Sequence, residues 1–184
     1  MNFPKRKTDE QELIIACQNG KGWAQKEIYE LYAPTMMSIC VRYLTDYETS
    51  RDILHDGFIK VFTKIDTYTG AGSFEGWMRR IFVTTALEFL RKNDALKQSY
   101  DIDEHEHVIP DVEVTTLEKI SADDLMTCIA KLPKGFRTVF NLYAIEGYSH
   151  AEIAKELNIT ENTSRSQFMR ARKILQKNVQ TLFN

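Results

Sequence analysis

Tyr148-Ser-His-Ala-Glu-Ile-Ala-Lys-Glu-Leu-Asn-Ile-Thr-Glu-Asn-Thr-Ser-Arg-Ser-Gln-Phe-Met-Arg-Ala-Arg-Lys-Ile-Leu175 reads as a helix, a tight turn and a second helix. Ser149 stands where it can cap the first helix, and Glu152 three residues on can bond back to the backbone of the cap. Ile153, Ala154 and Leu157 give that helix one apolar face. Asn158 breaks it, Ile159 drops into the angle between the helices, and Thr160 can cap the second helix. In that second helix Ser164, Phe168, Ala171 and Leu175 recur at intervals of four, three and four and so share a face. At ~100° per residue, Asn162, Ser166, Met169, Arg170 and Lys173 fall on the opposite face. Arg165 and Arg172 lie along one edge and Gln167 along the other. A helix in the DNA major groove needs this arrangement: arginine and amide groups near its N-terminal end for base edges, and cations for phosphates. A plain helical hairpin with a solvated face fits the same spacing. The cap–turn–cap order and the local excess of Arg and Lys favour DNA.

The charge totals conceal this. Over 184 residues the net charge is −2, which alone argues against a nucleic-acid binder. Residues 1–97 carry 14 Lys/Arg and 13 Asp/Glu. Residues 98–117 carry six acids and no base, and residues 118–184 carry 10 Lys/Arg against 7 Asp/Glu. An acidic middle thus masks a modestly basic C-terminal unit. Cys17, Cys40 and Cys128 are scattered and odd in number, with no CxxC pair, so neither a zinc site nor a disulfide framework is indicated. They read as reduced, packed thiols of a cytoplasmic protein. No apolar run is long enough to span a bilayer, and the basic start (Lys5, Arg6, Lys7) lacks the apolar core of a signal peptide.

The N-terminal half reads as helical throughout. Thr8 to about Asn19 is a short amphipathic segment, and Asn19-Gly-Lys-Gly22 is a turn. A helix from about Trp23 to Tyr32 is started anew or kinked at Pro34 and continues through Tyr43. Thr45 to Thr49 is a break, and Glu48 to Ile65 is the next helix. The loop Asp66-Thr-Tyr-Thr-Gly-Ala-Gly72 comes after it. Ser73 caps a helix to about Lys92 that is apolar on most sides and therefore mostly buried. Its polar stripe is Arg80, Thr84, Glu88 and Arg91, flanked by Arg79 and Lys92. From there to about Thr116 the chain is acidic, aperiodic and interrupted by Pro110, which suits an extended tether. His105 and His107 alternate with acids there, a pattern that fits a flexible acidic tether better than a metal site. Ser121 opens another helix, Pro133 the next, and Gly147 ends it. The expected fold is all-α: an N-terminal helical domain (1–93), a flexible acidic linker (94–116) and a C-terminal domain (117–184) with the helix–turn–helix.

Taken in order, these parts resemble a bacterial RNA polymerase sigma factor of the extracytoplasmic-function group, over about residues 10 to 180. Asp52-Ile-Leu-His-Asp-Gly-Phe-Ile-Lys-Val-Phe62 resembles the helix that docks on the clamp of the polymerase β′ subunit. Phe74-Glu-Gly-Trp-Met-Arg-Arg-Ile81 through Leu90-Arg-Lys92 resembles the promoter-melting helix that reads the minus-ten element. Tyr148 to Leu175 resembles the helix–turn–helix that reads the minus-thirty-five element. Each motif alone is moderately specific; three in this order and at this separation are strongly so. There are departures. Ser164 stands where the family usually has an apolar residue, and a buried hydroxyl there needs a partner or costs stability. Thr84 replaces a common asparagine, Gln167 a frequent cation, and His55 a common glutamine.

The resemblance implies no covalent chemistry and no cofactor, but recognition by a polymerase subunit that traps melted promoter DNA. It places base contacts at Arg165, Ser166, Met169 and Arg170, with Arg172 and Lys173 on phosphates. Around the minus-ten element it places Tyr68, Gly70 and Gly72 at a flipped-base pocket, where a stacking surface and close backbone approach offset the lost pairing. Arg79, Arg80, Arg91 and Lys92 would meet the DNA backbone, with Thr84 in the melting stripe. Trp77 reads more simply as core packing. Asp52, His55, Asp56, Phe58 and Lys60 would face the polymerase clamp. Core polymerase and promoter DNA are the implied partners, and an anti-sigma factor is usual for the group. Three rivals remain: a regulator that binds promoters without polymerase, which leaves the N-terminal half unexplained; a helical adaptor that never touches DNA; and an enzyme, for which no nucleophile–base constellation, phosphate loop or metal spacing appears.

Overall fold

The computed structural model describes residues 9–92 and 121–181; the acidic linker, with His105, His107 and Pro110, lies outside the described residues. The chain divides into two compact units parted between Glu88 and Phe89. Every regular element among the described residues is helical.

The N-terminal unit holds α1 (Glu10–Gln18), α2 (Gly22–Leu44), α3 (Tyr47–Lys64), a 3-10 turn (Ile65–Thr67) and most of α4 (Phe74–Lys92). Its core is drawn from all four helices, including Leu13, Ile28, Met36, Ile39, Tyr43, Val61, Met78 and Phe82. α2 runs unbroken past Pro34. The proline is exposed, so the carbonyl its ring leaves without a donor can turn to water. The expected break at Thr45 to Thr49 shrinks to two residues. Thr45 adopts a left-handed conformation at φ 65°, and the Asp46 carboxylate accepts the Thr49 amide at 2.8 Å, capping α3. Hydrogen bonding from the Thr49 side chain, and then from its amide, holds the exposed carboxyl below its ordinary pKa. The three aromatic rings of Tyr29, Phe58 and Phe82 join α2, α3 and α4, with centroids 4.6 and 5.2 Å from Phe58.

The C-terminal unit holds α5 (Ala122–Ala130), α6 (Lys134–Phe140), a π-helical turn (Asn141–Ile145), α7 (His150–Leu157) and α8 (Glu161–Thr181). Ser121 and Pro133 open α5 and α6 as the sequence indicates. Gly147 takes φ 76°, where a side chain would be strained, and turns the chain into the helix–turn–helix. Cys128, Ile129, Leu132 and Phe136 pack against Ala171, Leu175 and Val179 of α8. Arg137 is buried, and its Nη1 donates to the carbonyls of Ala130 and Leu132 at 3.0 and 3.1 Å. A guanidinium there closes the C-terminal end of α5, which has no basic residue in its own last turn. Cys17, Cys40 and Cys128 are all buried and free, and burial pushes the Cys40 thiol up to about 12.

Candidate nucleic-acid and polymerase interface

The helix–turn–helix forms as its caps dictate. The Ser149 hydroxyl accepts the Glu152 amide while the Glu152 carboxylate accepts the Ser149 amide at 2.8 Å, a complete capping box. Asn158 takes the left-handed conformation at φ 54°, and the Thr160 hydroxyl accepts the Thr163 amide at 3.0 Å, starting α8. Ile159 is half-buried in the angle between the helices.

The buried seam of α8 is Ser164, Gln167, Ala171, Leu175 and Val179. Gln167, expected along an edge, is therefore part of the packed face, 5% exposed, and its Oε1 finds no hydrogen-bond partner among the described residues. Phe168 is only half-buried. The wheel, centred on Ser164, Phe168, Ala171 and Leu175, put the amide at an edge of that face; Gln167 lies three residues after Ser164 and four before Ala171, and this spacing carries it into the seam. Ser164 is fully buried, and its hydroxyl has the partner it needs: His150 Nδ1 lies 2.9 Å from Ser164 Oγ. The imidazole is stacked on Tyr143, centroids 4.3 Å apart at 13°, and meets Phe168 edge-on at 6.0 Å.

On the other side of α8, Arg165, Ser166, Arg170 and Arg172 are exposed, Met169 is 49% exposed, and Lys173 is half-buried. Arg165 pairs with Glu161 at 3.1 Å, one turn back on the same helix. At this exposure such a pair adds little stability, but it aligns the guanidinium along the helix. Ser166 Oγ donates to the Thr163 carbonyl at 3.0 Å.

In the N-terminal unit, the loop after α3 is tied down from several sides. Gly70 and Gly72 take φ 81° and 83° with open space where a Cβ would stand. The Tyr68 hydroxyl donates to the Gly72 carbonyl at 2.8 Å and closes the loop on itself. Gln18 Nε2 of α1 donates to the Ile65 carbonyl at 3.2 Å and reaches that of Tyr68 at 3.5 Å. Gln18 was not singled out in the sequence, since nothing local relates it to a loop 47 residues away. Between α1 and the loop lies a cavity of 380 Å³, lined by Glu10, Gln11, Ile14, Ile15, Gln18, Tyr68, Thr69 and the two glycines. Trp77 is half-buried, stacked on Phe74 at 17° and tilted against Tyr68, so its core role holds for one face of the ring. Along α4, Arg80, Arg91 and Lys92 are exposed and Arg79 is half-buried near Glu75 at 3.8 Å. Thr84 spends its hydroxyl on the Arg80 carbonyl at 2.9 Å.

On α3, Asp52, His55 and Asp56 are exposed in a row. Phe58 does not belong with them. It is 3% exposed, held among Tyr29, Phe62 and Phe82, and serves as the floor beneath the row. Ile59 takes its place at the surface, 62% exposed, four residues after His55 and three after Asp56. Its spacing in the polar row was the sequence signal. Lys60 is half-buried and paired with Glu88 of α4. Among the described residues no group of three or more His, Cys, Asp or Glu could hold a metal ion, and no helix is long and apolar enough to cross a membrane.

Comparison with known proteins agrees with this geometry. The model of sigma-70 region 2 matches residues 28–96, and that of sigma-70 region 4 matches residues 122–175. The RNA polymerase sigma-H factor of Pseudomonas aeruginosa is 27% identical, covering 94% of this chain and 95% of its own. The extracytoplasmic-function sigma factor SigW of Bacillus subtilis is also 27% identical, covering 92% and 96%. Among solved structures, the sigma factor RpoE of Bartonella quintana in complex with the anti-sigma factor NepR superposes with a TM-score of 0.51 at 18% identity. It covers 84% of this chain and 96% of that one. CnrH in complex with the cytosolic domain of CnrY gives 0.50 at 18% identity, covering 92% and 96%. The chain belongs to the sigma-70 family, in its extracytoplasmic-function group. It is a sigma factor, acting in promoter-specific initiation by RNA polymerase.

Proposed function

We propose that the named surfaces divide the work of initiation. The exposed face of α8 reads the minus-thirty-five element through Arg165, Ser166, Met169 and Arg170, with Arg172 and Lys173 on phosphates. The loop from Tyr68 to Gly72 receives a base turned out of the minus-ten element. Arg79, Arg80, Arg91 and Lys92 hold the adjoining backbone, with Thr84 in the same stripe, and Asp52, His55, Asp56 and Ile59 meet the polymerase clamp while Lys60 flanks them. Phe58 enters this interface only through the residues it supports.

The observation that carries the reading is the split of α8: a packed seam on one side, and on the other arginines and a methionine facing out along the helix. Bidentate arginine contacts to guanine edges, with apolar contact from Met169, are what such a face offers the major groove. The cavity beside Tyr68 supports the second role. It presents an aromatic ring, two aliphatic chains, amide edges and the Glu10 carboxylate with no cation, which suits a base better than a phosphate. An anti-sigma factor, the partner of the solved RpoE, would cover the same faces and keep the chain from polymerase. The protein would act in the cytoplasm, where polymerase does, and without covalent chemistry of its own.

Replacing Arg165 or Arg170 by alanine is expected to lower the preference for the cognate over a scrambled minus-thirty-five element by about 1–3 kcal/mol for a bidentate contact. Transcription by reconstituted holoenzyme on the two templates measures it. Equal loss on both templates would make that arginine a phosphate contact.

A further inference from the structure

We infer that His150 is a positioning residue for promoter recognition: its bond to Ser164 sets the angle at which the recognition helix α8 leaves the turn. This rests on the reading of α8 as the minus-thirty-five helix. Two helices joined at one end are fixed in angle only by what they touch away from the joint. The joint here is Asn158 to Thr160. His150 is the first residue of α7, about 10 Å from the joint at 1.5 Å per residue. From there its Nδ1 reaches Ser164 Oγ at 2.9 Å, one turn into α8. Three features hold the imidazole itself in place. The Tyr143 ring lies parallel to it, the Phe168 ring meets its edge, and the Ser149 cap fixes the backbone beside it. Ser164 is fully buried, so the hydroxyl loses its partner if the imidazole goes. An apolar residue at 164 would tolerate a small slide of one helix over the other. A hydrogen bond fixes both distance and direction, and base contacts need placement to about 0.5 Å.

The tie has a chemical signature. Nδ1 of a neutral imidazole accepts from the Ser164 hydroxyl or donates to it according to the tautomer; imidazolium must donate, and brings a cation towards Arg165. The groups of the packed elements that face the ring are Tyr143 of the π-helical turn and Glu161 and Arg165 of α8. Burial, aided by Arg165 and opposed by Glu161, pulls the imidazole below its ordinary pKa. The folded chain thus favours the neutral ring, and the unfolded chain binds the proton more readily. The stabilisation is complete above the ordinary imidazole range and is lost as pH falls through it towards the lower folded value.

Holoenzyme reconstituted from core polymerase and the full chain tests this. The readout is the ratio of transcripts from a cognate promoter to those from one with its upstream element scrambled, at about pH 7.5 and about pH 5.5, the lower value set well under the ordinary imidazole pKa because the folded ring holds its proton less readily. The wild-type ratio is expected to fall at the lower pH. His150→Ala is expected to lower it about tenfold at the higher pH, as for a buried hydroxyl left unpaired. His150→Asn keeps a hydrogen-bonding atom near the place of Nδ1 but cannot titrate; it should stay within about twofold of wild type at the higher pH and lose the pH dependence. Helical circular dichroism shows that each variant is folded. A large wild-type ratio that His150→Ala leaves unchanged overturns this inference alone. Equal damage from alanine and asparagine makes ring packing the cause and also overturns it. A wild-type ratio of one overturns the promoter reading of α8, and this inference with it.

Discussion

Replacing Asp56 by arginine should abolish capture of core RNA polymerase while leaving the melting of the free chain unchanged. Asp56 is exposed at the middle of α3, in a row with Asp52 and His55 and beside the exposed Ile59. Surface changes of this kind usually move stability by less than about 0.5 kcal/mol. At an interface the arithmetic differs. A like charge placed against a complementary partner costs several kcal/mol, and about 1.4 kcal/mol already weakens binding tenfold. A pull-down with tagged chain, beside a thermal melt of the same preparation, separates the two effects. Undiminished capture would remove this helix from the polymerase interface.

One residue along, the same helix should fail for the opposite reason. Gly57→Ala is expected to destabilise the N-terminal unit by about 1–3 kcal/mol, the usual cost of overpacking a core. In an exposed helix the change would stabilise by roughly 0.5–1 kcal/mol. Here a methyl on Gly57 would come to 2.7 Å or less from three ring carbons of Phe82. Phe82 is fully buried and held edge-on against Phe58, so it has little room to yield. For a unit of this size each kcal/mol lost lowers the melting temperature by about 4–8 °C. Phe82→Leu on the alanine background should recover part of the loss. A melting temperature that does not fall with Gly57→Ala alone would contradict the packing described.

Asp56 and Gly57 also mark where the sequence is legible. The apolar period of α3 places its buried side, Phe58 included, and the spacing of Ile59 puts it in the polar row, but the period cannot say what Phe58 packs against. That depends on Tyr29 and Phe82, which arrive from other helices. The helix–turn–helix was more readable because its signals are local. Ser149, Glu152, Asn158 and Thr160 act on their own neighbours, and each does what its side chain allows. Gln167 falls at the edge of a face read as centred on Phe168, and the observed seam runs through Ser164, Gln167 and Ala171 instead. Gln18 and Arg137 could not be read at all. Gln18 crosses to a distant loop, and Arg137 closes a helix end already marked by a proline. The need at Ser164 was visible, but its answer was not: His150 lies 14 residues earlier and becomes a neighbour only when the turn closes.

The chain lends promoter recognition to a polymerase. Run-off transcription with core polymerase and purified full-length chain on a randomised promoter library tests it most directly. The expected transcripts depend on the chain and come from templates sharing two separated elements. Core polymerase that yields no chain-dependent transcript from any template would contradict the claim.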